Sequence, residues 1–166
     1  MKDKRVTVYA GSFDPITNGH LDLLDRALKI FDNIIIAVAE NPAKQPLFTL
    51  DERLDLIRAS LKNHQTPDRI RVDSFKGLLV DYVERCGAMA ILRGLRAVSD
   101  FEYEFQMALM NRKLSRNPET LYLMTGARWI YISSRIIKEV VQAGGSVTGL
   151  VPEAVEMKLR EKFEIY

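Results

Sequence analysis

Val6-Thr7-Val8-Tyr9-Ala10-Gly11-Ser12-Phe13-Asp14-Pro15-Ile16-Thr17-Asn18-Gly19-His20, running straight into Leu21-Asp22-Leu23-Leu24-Asp25-Arg26-Ala27-Leu28, is the stretch on which the fold turns. Val6–Ala10 is short, apolar and rich in β-branched residues, which is the signature of a strand. Leu21, Leu24, Leu28 and Phe31 recur at helical spacing. The loop between them therefore carries the chain from a strand into a helix and sets His20 at the helix's positive end. Backbone N–H groups and the helix dipole make such a place attractive to phosphate. The spacing Thr17-x-Gly19-His20 just past the first strand points to a nucleotide site.

Outward from this stretch the pattern alternates. Ile34–Ala39, Ile70–Ser74, Met89–Leu92 and Leu121–Met124 are further strand-like runs, and helix patterns lie near 20–31, 50–62, 77–86, 100–115, 134–143 and 153–163. Thr49-x-x-Glu52 and Ser99-x-x-Glu102 are capping boxes at two helix starts. Gly87 stops one helix and Gly144-Gly145 another. Five strands separated by helices predict an α/β fold: a doubly wound five-stranded parallel sheet, covered on both faces, with a C-terminal helix and one domain over 1–166. Ligands of such sheets bind beyond the carboxyl ends of the strands, where strand order reverses. Gly11–His20, Asn41–Phe48, Phe75–Leu79, Arg93–Ser99 and Thr125–Ser134 follow the five strands and carry the informative residues, whereas the opposite edge has short polar connectors such as Lys62–Asp68.

A chain of 166 residues that is 47% hydrophobic can bury a substantial core in a single domain. With 24 basic and 22 acidic residues the net charge is only +2, so no field exists for bulk nucleic-acid binding and any anion site must be a local cluster. The single cysteine, Cys86, excludes a disulfide framework and a multi-thiolate metal site, and its place in an apolar helix pattern reads as an inert buried thiol. No signal peptide precedes the first strand and no apolar run approaches a membrane span, so a cytoplasmic protein with no membrane partner is expected.

Each motif has a plain reading beside a functional one. Gly11–Pro15 are all residues that favour turns, but the continuation to Gly19-His20 favours function, with Gly19 clearing space for a phosphate and His20 supplying a donor. Arg93 and Arg96 suit surface ion pairs or, at a strand's carboxyl end beside Gly94, forked phosphate contacts. Lys44, between Pro42 and Pro46, is an ordinary solvated loop lysine that nothing local singles out. Ser133 and Ser134 precede a helix pattern, which fits an N-cap and equally a second phosphate-facing helix start. Asp100, Glu102 and Glu104 read as dipole compensation in a first helical turn rather than a metal cage. Met107 and Met110 read as core or subunit-contact residues, and His64 as solvated in its connector.

Gly11–His20, Asn41-Pro42-Ala43-Lys44, Arg93-Gly94-Leu95-Arg96-Ala97-Val98-Ser99-Asp100-Phe101-Glu102-Tyr103-Glu104 and Tyr131-Ile132-Ser133-Ser134 together resemble the bacterial phosphopantetheine adenylyltransferases. These belong to the nucleotidyltransferases marked by (H/T)xGH and ISS-type motifs. The TxGH element indicates only the wider group, while the block from Arg93 to Glu104 points to these enzymes, and the likeness runs over nearly the whole chain. It implies a Rossmann-like nucleotidyltransferase fold and transfer of the adenylyl group of ATP to 4′-phosphopantetheine, giving dephospho-coenzyme A and pyrophosphate. By motif position it implies that Ser12, Lys44, Leu79 and Arg93 contact phosphopantetheine. ATP would be met by Ser12, Phe13, His20, Gly94, Leu95, Arg96, Glu104, Trp129, Ile130, Tyr131, Ile132, Ser133, Ser134 and Arg135, with His20 stabilising the transition state. It further implies Mg²⁺ on the ATP phosphates with no dedicated protein metal site, a homohexamer, and inhibition by coenzyme A. Arg135 stands where these enzymes commonly carry a third serine, and it either reaches the β- or γ-phosphate or points away.

A phosphate nucleophile is already anionic, so such a reaction needs no general base, which agrees with the lack of a Ser/His/Asp or Cys/His arrangement. Catalysis would come from aligning two anions and neutralising charge at the α-phosphate. The rival readings are another nucleotidyltransferase, acting on nicotinamide mononucleotide or glycerol 3-phosphate, and a non-catalytic nucleotide-binding module.

Overall fold

The computed structural model describes residues 5–41, 45–96 and 98–165, without the side chains at 98–100. Strands β1 (Val6–Gly11), β2 (Asn33–Ala39), β3 (Ile70–Phe75), β4 (Ala90–Leu95) and β5 (Glu119–Met124) form one parallel sheet in the order β3-β2-β1-β4-β5. Helices α1 (Asn18–Ala27), α2 (Leu50–Leu61), α3 (Leu79–Arg85), α4 (Val98–Leu114), α5 (Ser134–Gln142) and α6 (Glu153–Lys162) cover it.

The central strands are mostly apolar because both faces are covered. Tyr9, Ile34, Ile36 and Leu92 pack with Leu23 and Leu24 of α1, Ile57 of α2, Ile137 of α5 and Leu159 of α6. On the other face Val8, Ala10, Ile35, Ala37 and Ile91 pack against Val80, Tyr82 and Val83 of α3. The chain lays β2 and β3 to one side of β1, then crosses to lay β4 and β5 on the other, so the strand order reverses between β1 and β4. Pairing of β1 with β4 ends at Tyr9↔Leu92, while β1 continues along β2 to Gly11↔Val38 and β4 continues along β5 to Leu95↔Met124. The two strands therefore part beyond Tyr9 and open a crevice at their carboxyl ends.

Several sequence expectations change here. β4 extends to Leu95, so Arg93 and Gly94 are strand residues rather than the start of a loop. The apolar run ends at Leu92, but the ladder with β5 continues through Arg93↔Tyr122 and Gly94↔Leu123. Thr49-x-x-Glu52 makes both bonds of its capping box, whereas Ser99 lies inside α4, which begins at Val98. Met107 and Met110 are exposed and so are not core of this chain. Cys86 is only half-buried, and Arg71 donates to its sulfur at 3.2 Å. His64 is tied down rather than merely solvated: its Nε2 lies 2.8 Å from an Asp25 carboxylate oxygen and its Nδ1 accepts from the Thr66 N–H.

Candidate active site

His20 is the third residue of α1, and its ring closes a capping box with Thr17. The Thr17 hydroxyl accepts from the His20 N–H at 3.4 Å, and His20 Nδ1 accepts the Thr17 N–H at 3.0 Å. A histidine thus takes the place that Glu or Gln holds in the usual box. Nδ1 is spent as an acceptor, so the ring proton of the neutral form sits on Nε2, which is left to donate. Burial, with the charges of Arg96 and Arg93 acting in the same sense, pushes the His20 pKa down to about 4. His20 is therefore a neutral donor near neutral pH and has little capacity as a base.

The loop ahead of it is pinned from three sides. Phe13 has a left-handed backbone (φ 46°), a conformation that persists in a non-glycine residue only where surroundings enforce it. Buried Asp14 accepts the Leu47 and Phe48 N–H groups at 3.0 and 2.9 Å and pairs with Lys138 of α5 at 2.5 Å. Buried Arg53 of α2 donates to the Ser12 carbonyl at 2.8 Å, and the Ser134 hydroxyl donates to the Pro15 carbonyl at 2.7 Å. Asn18 donates to the carbonyls of Leu150 and Gly149. The roles of Asp14, Arg53 and Lys138 escaped the sequence reading, because their partners lie far away in the chain.

Across the crevice, Arg93 makes a forked pair with buried Glu104 of α4, Nε at 3.0 Å and Nη2 at 2.5 Å, while Nη1 donates to the Ala10 carbonyl at 2.8 Å. Glu104 lies well inside α4 and holds a cation, so it is not a first-turn dipole compensator. Arg96 donates to the Ile132 carbonyl at 3.1 Å, tying β4's end to the segment that leads into α5. Ser133 is the N-cap of α5, its hydroxyl accepting the Ile136 N–H at 3.1 Å.

Two cavities meet at this point. The larger, about 450 Å³, lies on the α1/α5 side and takes in Ser12, Phe13, His20, Gly94, Arg96, Trp129, Ile132, Ser133, Ser134 and Arg135. The smaller, about 200 Å³, lies on the α3/α4 side with Phe75, Leu79, Tyr103, Met107, Asn111, Thr120 and Tyr122. Ala10, Gly11, Ser12, Arg93 and Glu104 line both. Such a pair suits two ligands whose reacting ends meet beside His20 and Arg93.

Most residues singled out in the sequence converge here, with exceptions. Leu95, Ile130 and Tyr131 do not line the larger cavity, and Ile130 and Tyr131 are exposed. Arg135 lines the larger cavity, but its guanidinium turns along its own helix, Nε 2.8 Å from Glu139, with the side chain 87% exposed. Lys44 lies outside the described residues. Gly19 lines the larger cavity, and a Cβ there would also come within 3.3 Å of the Trp129 Cβ, so the glycine admits the turn at Ala127–Trp129 as well. Gly94 likewise faces Leu23, whose Cδ1 would lie 2.7 Å from an added Cβ. Tyr9 was also missed, as were Phe75, Tyr103, Met107, Asn111, Thr120 and Tyr122 of the smaller cavity as site residues. The alternation of β1, which turns Tyr9 towards α1, was the available signal for Tyr9.

Residues 8–140 match the cytidylyltransferase-like family model. The chain is 59% identical to the phosphopantetheine adenylyltransferase of Desulfosudis oleivorans over 95% of its own length and 92% of that protein. Against the phosphopantetheine adenylyltransferase of Syntrophus aciditrophicus it is 56% identical, covering 98% and 96%. Among solved structures, a Vibrio parahaemolyticus protein assigned as a nicotinate-nucleotide adenylyltransferase superposes with a TM-score of 0.71, covering 98% of this chain and 96% of that one at 15% identity, which is a likeness of fold.

Proposed function

The chain belongs to the phosphopantetheine adenylyltransferases of the cytidylyltransferase-like family, and we propose that its two joined cavities bring ATP and 4′-phosphopantetheine together at His20. The activity is transfer of the adenylyl group to 4′-phosphopantetheine, with dephospho-coenzyme A and pyrophosphate as products, the penultimate step of coenzyme A synthesis. An oxygen of the acceptor phosphate attacks the ATP α-phosphorus in line. The new P–O bond forms as the bond to the β-phosphate oxygen breaks, and pyrophosphate leaves.

ATP occupies the larger cavity, between Phe13, Arg96, Trp129 and the start of α5, with Ser12, Gly94, Glu104 and Ile132 in contact. Phosphopantetheine enters from the smaller cavity along Leu79, its phosphate meeting Ser12 and Arg93; Lys44 joins this set on family resemblance. The observation that carries this arrangement is the sharing of Ser12 and Arg93 by both cavities beside a histidine whose only free ring nitrogen is a donor. Nε2–H stabilises charge that develops on the α-phosphate, and the N-terminus of α5 faces the triphosphate tail. Ser133 and Ser134 act there chiefly by fixing that helix start and the Pro15 loop. Arg135, turned to Glu139, leaves phosphate binding to its neighbours.

Among the described residues no group of three or more His, Cys, Asp or Glu side chains is placed to hold a metal ion, and the Glu104 carboxylate is engaged by Arg93. This donor set fits Mg²⁺ carried on ATP oxygens, where it would neutralise triphosphate charge. Exposed Phe101, Phe105, Leu109, Met110 and Leu114 give α4 an apolar outer surface, which supports self-assembly; the number six follows the family. Coenzyme A, built from both substrates' parts, would fill both cavities and inhibit. No described helix is long and apolar enough to cross a membrane, and a cytoplasmic, single-domain enzyme accords with the pathway.

The test is pyrophosphate release with ATP or CTP against phosphopantetheine, nicotinamide mononucleotide and glycerol 3-phosphate. Release only with ATP and phosphopantetheine is the expected result. Preference for another acceptor, or tight ATP binding without release, would replace this reading by one of its rivals.

A further inference from the structure

Tyr9 has a buried ring, and its hydroxyl opens into the larger cavity. It is only 5% exposed, and its hydroxyl makes no hydrogen bond among the described residues, yet Tyr9 lines the larger cavity. It sits at the last rung between β1 and β4, opposite Leu92, where the crevice begins. Its ring packs edge-to-face on Phe13 at 5.2 Å between centroids and lies 6.4 Å from the His20 ring. Arg93 donates to the carbonyl of Ala10, the next residue along β1.

Packing does not account for the hydroxyl. Phenylalanine would fill the same space, whereas a tyrosine with its ring buried sets its hydroxyl at the cavity wall, where a ligand oxygen can accept from it. We propose that the Tyr9 hydroxyl donates a hydrogen bond to a phosphate oxygen of bound ATP, beside His20, and so is a further catalytic residue. The inference rests on the adenylyl-transfer reading above. His20, Arg93 and Arg96 surround the same part of the cavity, and a dianionic or trianionic phosphate chain there offers acceptors to a neutral O–H. Burial raises the phenol's pKa against the opposing pull of Arg93 and Arg96, so the group keeps its proton and acts as donor, not base.

Tyr9→Phe tests this, with turnover and thermal unfolding measured on the same preparations. Wild type must first release pyrophosphate from ATP and phosphopantetheine; if it does not, the functional reading fails and not this inference. Given an active wild type, loss of a hydrogen bond to a charged oxygen lowers kcat/KM for ATP by roughly ten- to hundredfold. Because the hydroxyl has no hydrogen-bond partner among the described residues, Tm stays at or above the wild-type value. A kcat/KM within twofold of wild type overturns the assignment. So does a loss of activity accompanied by a fall in Tm, which would show that the hydroxyl serves the fold.

Discussion

His20 is expected to work as a neutral donor across the whole physiological pH range. With a pKa near 4, only about 1% of the free enzyme carries a protonated ring at pH 6. Replacing the ring by alanine removes one preorganised donor, worth about 3–4 kcal/mol or roughly 10²–10³ in kcat. It also removes the acceptor for the Thr17 N–H, so helix α1 loses about 1 kcal/mol of capping. His20→Gln restores the usual Thr-x-x-Gln box and should keep stability close to wild type, which separates the fold effect from the chemical one.

The assay is kcat/KM for ATP of wild type and His20→Ala from pH 5.5 to 8.5, read as a ratio so that titration of the substrates' own phosphates cancels. A donor gives a ratio that stays large and flat. A general base gives a ratio that climbs with pH through an apparent pKa between 6 and 8, and that result would refute the donor role. So would a variant whose saturated turnover is near normal and whose ATP affinity alone has collapsed. Stability gives an independent check. In the unfolded chain the ring takes up its proton near 6.5 and in the folded chain near 4. Between those values the unfolded state binds more protons, so stability rises with pH. As pH falls through the window, wild type loses roughly 2–3 kcal/mol that His20→Gln does not, the lower figure allowing for the ring's partial exposure to the cavity. Parallel pH–stability curves for the two proteins would show that the ring is not buried as described.

Three further outcomes follow from the contacts. Gly94→Ala brings a Cβ to 2.7 Å from a buried Leu23 methyl and should cost about 1–3 kcal/mol in denaturant unfolding; unchanged stability would mean α1 stands further from β4. Arg93→Lys cannot fork onto Glu104, so KM for phosphopantetheine should rise well above that for ATP, and an unchanged dependence on phosphopantetheine would remove Arg93 from the acceptor site. Met110→Glu places charge on the apolar outer face of α4 and should shift the assembly towards smaller species in light scattering, whereas an intact oligomer would move the interface elsewhere.

What was legible in the sequence is what local physics decides. The runs of β1 and β2, the box at Thr49, the stop at Gly87 and the placing of His20 at a helix start all follow from neighbours a few residues away, and these suffice for the sheet and for a phosphate-facing loop. The remainder depends on partners far apart in the chain. Asp14 meets Lys138, Arg53 meets the Ser12 carbonyl, Ser134 meets that of Pro15 and Arg96 that of Ile132, and no periodicity announces such pairs. Length of strand was misjudged for a related reason. Arg93 looks like the end of β4 because it is charged, yet the charge is tolerated in the ladder because Glu104 waits on the overlying helix. Glycines carry a second role that the motif does not show: Gly19 and Gly94 line the cavity, and a Cβ added there would also meet Trp129 and Leu23. Those residues shape the crevice by letting helices approach the sheet closely. The local sequence thus marks where the chemistry happens, and the long-range contacts determine why the loop bearing it holds a left-handed Phe13 and a histidine with one nitrogen already committed.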